Sequence, residues 1–176
     1  DPSYSKAPIG IIQPELNDKI PTIYKLHTTK KRSINIDRIY KNCLVEDVYT
    51  NLAGDSFFAV IVINDFSFAD TIIKAGNQFA KATLLTISRD GTEKVVLEPE
   101  AQSDAYFHSM NINKRNEIFL FGSYRDSLMI SGQQLKSSSG SHFILKLEPD
   151  YSLAWLKEIN PTALDDSIQY YSCVYS

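Results

Sequence analysis

Apolar and polar positions along this chain either alternate with a period of two or gather into short apolar blocks. No stretch keeps helical spacing long enough to place a helix. The clearest block, Phe57 to Ile63, is apolar throughout and rich in β-branched residues, which predicts a strand buried on both faces. Around it, Glu46 to Leu52 alternates and turns at Gly54-Asp55. Thr71 to Lys74 is a short strand, Ala82 to Ser88 another, and Arg89-Asp90-Gly91-Thr92 an Asp-Gly hairpin leading to Lys94 to Leu97. Pro99 then interrupts the pattern.

The same order follows once more. Tyr106 to Ile112 is a strand, Asn113 to Asn116 a turn, and Ile118 to Phe121 a strand that ends at Gly122. Leu128 to Ser131 comes next, then a Gly/Ser loop from Ser137 to Ser141 that contains Gly140. Phe143 to Leu147, a turn at Pro149 to Tyr151 and Leu153 to Ile159 complete it. Asp90 and Asp150 stand 60 residues apart in the equivalent turns, and Asp70 and Asp126, before the middle strands, stand 56 apart. A period of this size with only strands inside it predicts β repeats such as four-stranded propeller blades.

The expected layout has four parts. Residues 1–40 form a Pro-rich extended segment, because Pro2, Pro8, Pro14 and Pro21 each remove a backbone donor. Within it Ile20 to Leu26 and Ser33 to Ile39 are candidate strands joined through Lys30-Lys31-Arg32. Residues 41–102 and 103–161 are the two β units, and 162–176 opens a further one, since Asp165 to Tyr175 resembles Asp104 to Met110. An opening strand without its partners leaves unpaired backbone groups, so further blades or another protein chain are expected to complete the sheet.

Gly122-Ser123, Leu128, Ile130, Gly132, Leu135, Ser137-Ser138, Gly140, Phe143, Lys146-Leu147, Asp150, Leu153 and Trp155 together resemble the SBBP-type repeat of bacterial β-propellers. The likeness covers about 39 residues, Glu117 to Trp155. Tyr151 stands where that repeat has Gly, and the upstream copy has Asn64 in place of Gly122, Thr86 in place of Lys and no Trp, although Asp90-Gly91 keeps the turn. The resemblance implies an all-β propeller of antiparallel four-stranded blades, incomplete in this chain, in an exported or cell-surface protein. It defines no catalytic residues. A two-sheet β-sandwich is the alternative all-β architecture.

Composition supports a folded domain: 43% of residues are hydrophobic and 11% aromatic, which is too apolar for disorder. A net charge of −3 supplies no field to attract phosphate backbones, so nucleic acid is not an expected partner. The longest apolar run, about seven residues, is far short of a membrane-spanning helix. The chain opens on Asp1-Pro2-Ser3, as a trimmed secreted protein or lipoprotein would, and as a proteolytic fragment would equally.

Candidate chemistry is sparse. Cys43 and Cys173 lack metal-site spacing and read as buried thiols, with a disulfide the sharper alternative. His27, His108 and His142 form no ligand or catalytic motif, and no G-x-S-x-G surrounds a serine. Asp65 and Asp70 lack the Gly and third acid of a calcium loop, and Asp165-Asp166 reads as a solvated turn rather than a glycosidase pair. No metal or cofactor is expected. Tyr124 and Tyr151, expected exposed at turns, are the candidate ligand-binding residues, for a protein or a glycan. Gly122, Gly140, Asp90, Gly91, Asp150 and Trp155 are structural marks of the repeat. The functional expectation is a non-catalytic extracytoplasmic scaffold or binding module, free or lipid-anchored, within a larger cell-surface assembly. A fragment of a propeller-type carbohydrate-active or other hydrolase, with catalytic residues outside this chain, is the alternative.

Overall fold

The computed structural model describes residues 42–75 and 80–159, together with the backbone of three earlier strands, β1 (Gly10–Ile11), β2 (Ile23–Thr28) and β3 (Ile34–Tyr40). These three form a small antiparallel sheet in the order β1-β2-β3. Lys30-Lys31-Arg32, the side chain of His27, Cys173, Asp165-Asp166 and the opening of a third unit lie outside the described residues.

The protein is all-β, and the described residues contain no helix. The first large sheet runs β4 (Cys43–Thr50), β5 (Ser56–Val62), β8 (Lys81–Ile87), β9 (Glu93–Leu97), all antiparallel neighbours. A separate hairpin of β6 (Phe66–Phe68) and β7 (Thr71–Ile73) leaves it between β5 and β8. The second sheet repeats the order with β11 (Ala105–Ile112), β12 (Ile118–Ile130), β13 (Gln133–Leu147) and β14 (Leu153–Ile159). Short β10 (Glu100–Ala101), on the first unit's side of the expected boundary at 102, pairs with the far end of β12 at Leu128 and Met129. The sheets of the described residues do not close into a ring.

Turn chemistry explains why the two sheets look alike. Four connections, 51–55, 88–92, 113–117 and 148–152, have the same pair of backbone bonds, from the first residue's N–H to the fifth's carbonyl and from the fourth's N–H to the first's carbonyl. Each is a three-residue loop ending in a left-handed residue: Gly54 (φ 92°), Gly91 (93°), Asn116 (60°) and Tyr151 (71°). The Asp90-Gly91 turn is therefore not a two-residue hairpin, because only its glycine has positive φ. Asp90 and Asp150 do equivalent work, each accepting the N–H two residues on, from Thr92 (2.9 Å) and Ser152 (3.0 Å).

The hairpins between second and third strands correspond as well. Phe68 pairs with Thr71 around Ala69-Asp70 (φ 52° and 55°), and Ile130 pairs with Gln133 around Ser131-Gly132 (48° and 79°). Positive φ at both loop residues is the type I′ geometry. Phe68 and Ile130 thus hold one position 62 residues apart, so the expected 56-residue match of Asp70 with Asp126 compared unlike places: Thr71 to Ile73 is the second strand of its hairpin, whereas Leu128 and Ile130 sit on the first.

Two more expectations change here. Gly122 does not end a strand. β12 continues through it for 13 residues, and Gly122 pairs with Phe107 on one side and Phe143 on the other. A Cβ at this glycine would lie 2.2 Å from the Tyr106 carbonyl oxygen and 2.4 Å from the Phe143 ring, so close approach is what requires glycine. The expected Ser137–Ser141 loop is likewise part of β13, within a long β12–β13 ribbon interrupted by a bulge. Register jumps there from Tyr124↔Ser141 to Asp126↔Ser137, and Gly140 takes φ 85°.

The core is layered by these two faces. β5 is buried at every residue, as its apolar block predicts. Phe57 and Ala59 point with Ala82 and Leu84 of β8 to the front, where they meet Phe107, Met110, Leu120, Phe143 and Leu145 on the back of the second sheet. Phe58, Val60 and Val62 point with Leu85 and Ile87 to the back, which Phe66, Phe68 and Ile73 of the β6–β7 hairpin cover. In the second sheet Leu128, Ile130 and Leu135 of the ribbon occupy the corresponding place. Met110 N–H donates to Asp47 Oδ2 at 2.7 Å, tying the sheets at their closest strands, β4 and β11.

Candidate functional site

β11, most of β12 and the second half of β13 set buried residues between half-exposed ones, with His108 exposed at the β11 bulge, so the second sheet's front is a mixed surface. Across one rung the register sets Tyr106 beside Ser123 and Ser123 beside His142. His108 sits at the bulge between Phe107 and Ser109, next to Phe121. The result is a cluster of rings. Tyr106 stacks on His108 (centroids 6.0 Å, 7° between planes), Phe121 stacks on His142 (5.6 Å, 1°), and the two histidines are 6.5 Å apart.

Sequence reasoning treated these histidines as scattered, and in sequence they are. Two antiparallel ladders bring them together, and the available signal was their place on the solvent-facing parity of neighbouring strands. His108 Nε2 lies 2.7 Å from Ser123 Oγ. Desolvation among the rings, and then the neighbouring His142, lower the His108 pKa, which keeps the imidazole neutral. A neutral imidazole beside a hydroxyl is the first half of a nucleophile–base pair, which needs a third group to orient the base. Around His108 the packed groups are the rings of Tyr106, Phe121 and His142.

Above this cluster the β12–β13 bulge opens a cleft of about 420 Å³, lined by Asp104, Tyr106, Ser123, Arg125, Ser139, Gly140 and His142 among others. Its walls carry hydroxyls, one carboxylate and one guanidinium. Asp104 Oδ1 accepts the Ala80 N–H at 3.2 Å, and Arg125 donates its backbone N–H to the Asp104 carbonyl at 3.0 Å. Burial and the Asp104 charge raise the Tyr106 pKa, so its hydroxyl stays protonated.

The residues expected to bind ligand sit differently. Tyr124 is not at an exposed turn. It is 3% exposed inside β12, because the strand runs on through Gly122, and its hydroxyl donates to Glu158 Oε1 at 2.8 Å. Burial and that carboxylate together push its pKa up. Tyr151 is in its turn, but half-buried: its ring meets Phe57 edge-on at 6.2 Å and lies under Lys94 Nζ at 4.4 Å. Tyr124 does line the cleft, as a buried ring rather than an exposed platform, whereas Tyr151 is not among the residues that line it. Trp155 lies on the second sheet's front, 6.3 Å from Phe119, with Lys157 Nζ 5.5 Å over its ring.

Asp65 spends its carboxylate on the Ala75 N–H (2.9 Å) and Lys74 Nζ (3.1 Å), while Asp70 is in the type I′ turn. Among the described residues no three His, Cys, Asp or Glu side chains gather as metal ligands. Cys43 is a free, buried thiol. No helix among the described residues is long and apolar enough to cross a membrane. Compared with known proteins, the chain matches no family model, no curated protein and no solved structure.

Proposed function

We propose that this chain is a non-catalytic module of propeller-type β repeats that serves, outside the cytoplasm, as a scaffold or ligand-binding surface in a larger cell-surface assembly. One observation carries the reading: the four strands β4-β5-β8-β9 and the four strands β11-β12-β13-β14, to which short β10 adds a fifth beside β12, share one order and matching turns and stack front to back rather than front to front. Front-to-back stacking is heterologous, and such stacks grow by adding units until they close or are capped. The SBBP-type resemblance supports the extracytoplasmic placement, and the hydroxyl-lined cleft beside Tyr106 supports a protein or glycan as ligand.

Light scattering on the purified chain tests the assembly. Self-association, or a stable species only with a co-purifying chain, is expected. A monodisperse 19.9 kDa monomer that unfolds cooperatively refutes it. Fractionation of the source cells tests location, with recovery in the cytosol the refuting result.

A second reading, a serine hydrolase whose nucleophile lies in this chain rather than in a missing part of it, has the Ser123–His108 contact in its favour. It requires a fluorophosphonate probe to label the chain and Ser123→Ala to abolish labelling; the module reading expects no label.

A further inference from the structure

The β12–β13 bulge collects hydrogen-bond donors that the fold leaves without acceptors. Arg125 is the β12 residue at which the register jumps, between Tyr124↔Ser141 and Asp126↔Ser137. Its backbone N–H is spent on the Asp104 carbonyl at 3.0 Å, whereas its guanidinium, on an exposed residue lining the cleft, has no acceptor among the described residues. The hydroxyls of Tyr106 and Ser139, which line the same cleft, have none among them either. Three neighbouring strands, β11, β12 and β13, therefore each bring an unspent donor to one cleft. The backbone that carries them is tied down: Ser137 Oγ donates to the Gly140 carbonyl at 2.9 Å across the bulge, and Asp104 Oδ1 accepts the Ala80 N–H at 3.2 Å. Donors held on a braced backbone lose little freedom on meeting a ligand.

Charge and size narrow the chemistry of that ligand. The charged groups that act on the Tyr106 hydroxyl are the carboxylates of Asp104 and Glu46 and the guanidinium of Arg125, two negative charges against one positive. An anion would meet that excess, and a cation would be repelled by Arg125 while offering its N–H groups nothing to donate to. A neutral molecule rich in oxygen acceptors meets neither penalty. If it also carries hydroxyls it can donate to the Asp104 carboxylate, since a carboxylate accepts at several lone pairs. The cleft, at about 420 Å³, lies near the lower end of the range of about 300–1,000 Å³ usual for small-molecule sites, whereas a protein partner covers about 800 Å² of surface. The half-exposed Tyr106 ring, parallel to His108 at 6.0 Å, supplies an apolar wall against which the C–H groups of a sugar ring can pack.

We propose that this cleft binds a neutral saccharide, with Arg125, Tyr106 and Ser139 donating to its ring and hydroxyl oxygens and Asp104 accepting from a sugar hydroxyl. The assignment rests on the reading of the chain as a binding module and names the ligand of its cleft.

The test applies the full chain to an array of neutral gluco-, manno- and galacto-oligosaccharides set beside uronic-acid, sialylated and sulfated glycans, and then measures the dissociation constant of the best-bound neutral oligosaccharide by calorimetry. Retention of neutral glycans is expected. Arg125→Gln should weaken binding about tenfold to a hundredfold, and Tyr106→Phe and Ser139→Ala about two- to tenfold each, as the loss of one charged and of one neutral hydrogen bond would. Lys157→Gln, on the same front but outside the cleft, should leave it unchanged. An array that retains no neutral glycan overturns the proposal. So does a preference for acidic glycans, which would refute the charge argument, and so does binding that none of the three cleft variants weakens, which would place the sugar elsewhere. Near-UV circular dichroism checks that each variant is folded, and should Tyr106→Phe lose its tertiary signal, Ser139→Ala at an exposed serine decides. Light scattering on the same samples separates this failure from failure of the module reading: self-association without bound glycan removes only the ligand, whereas a sugar-binding, monodisperse monomer removes only the larger assembly.

Discussion

Replacing Gly122 with alanine isolates what the close approach of β11, β12 and β13 costs. The new Cβ would sit 2.2 Å from the Tyr106 carbonyl oxygen and 2.4 Å from the Phe143 ring. Side-chain carbons essentially never come within 3.0 Å of such atoms, so the carbonyl must retreat by 0.8 Å and the ring by 0.6 Å. Neither has room. The carbonyl belongs to a ladder strand, and Phe143 is 0% exposed, in contact with Phe107 (6.0 Å) and Tyr124 (6.3 Å). Overpacking of a dense core costs about 1–3 kcal/mol, and loosening two ladder hydrogen bonds adds about 1 kcal/mol each. A loss of about 3–5 kcal/mol is expected, a large part of the roughly 5–15 kcal/mol that holds a domain together. Urea unfolding followed by far-UV circular dichroism measures it. Gly132→Ala is the control, because a Cβ there meets nothing within 4 Å and only the φ of 79° is unfavourable, at about 1–2 kcal/mol. The double variant Gly122→Ala/Phe143→Leu should recover part of the loss, since the ring clash goes and the carbonyl clash stays. A Gly122→Ala loss under about 1 kcal/mol, or one no larger than that of Gly132→Ala, would refute the packing argument.

Glu117 is held by Lys146 Nζ (2.7 Å) and Arg115 Nη2 (2.9 Å), and the hydrogen bonds from Lys146 and Asn113 lower its pKa from 4.5 to about 2. A carboxyl depressed on folding stabilises fully above its unfolded value, so this contribution should fade as pH falls from about 4.5 to about 2; a Glu117→Gln variant should flatten that part of the stability–pH curve. Phe58→Ala empties a 0% exposed position in the strand buried on both faces and should cost about 3–5 kcal/mol by urea unfolding, a loss below about 1 kcal/mol marking a site that collapses freely. Tyr151→Asn keeps a residue tolerant of positive φ but removes the contacts with Phe57 and Lys94, and should lose about 1–2 kcal/mol; an unchanged midpoint would show the ring contributes nothing. Burial pushes the Cys43 thiol up to about 12, so it should react with a disulfide reagent only as the protein unfolds, and prompt native-state labelling at Cys43 would contradict its burial.

Strand positions and turns were legible because their causes are local. Alternation reports which residues face a core, and positive φ is open to few residue types, so Gly54, Gly91 and Asn116 mark their loops in the sequence itself. Tyr151 in the same conformation shows the limit: its backbone strain is offset by a ring packed on Phe57, 94 residues away in the chain. The β12–β13 ribbon was misread for a related reason. Gly122 and the Ser137–Ser141 stretch look like breaks to a local reading, whereas in the sheet one admits a neighbouring carbonyl and the other absorbs a bulge. That error carried Tyr124 from the interior to an imagined surface turn.

The sequence by itself therefore determined the all-β class, the two runs of strands and most of the turn chemistry, since these depend on neighbours along the chain. Which face each strand turns to which sheet and the meeting of His108, Ser123 and His142 were decided only by tertiary structure. Ladder register and sheet stacking join residues that no local rule relates.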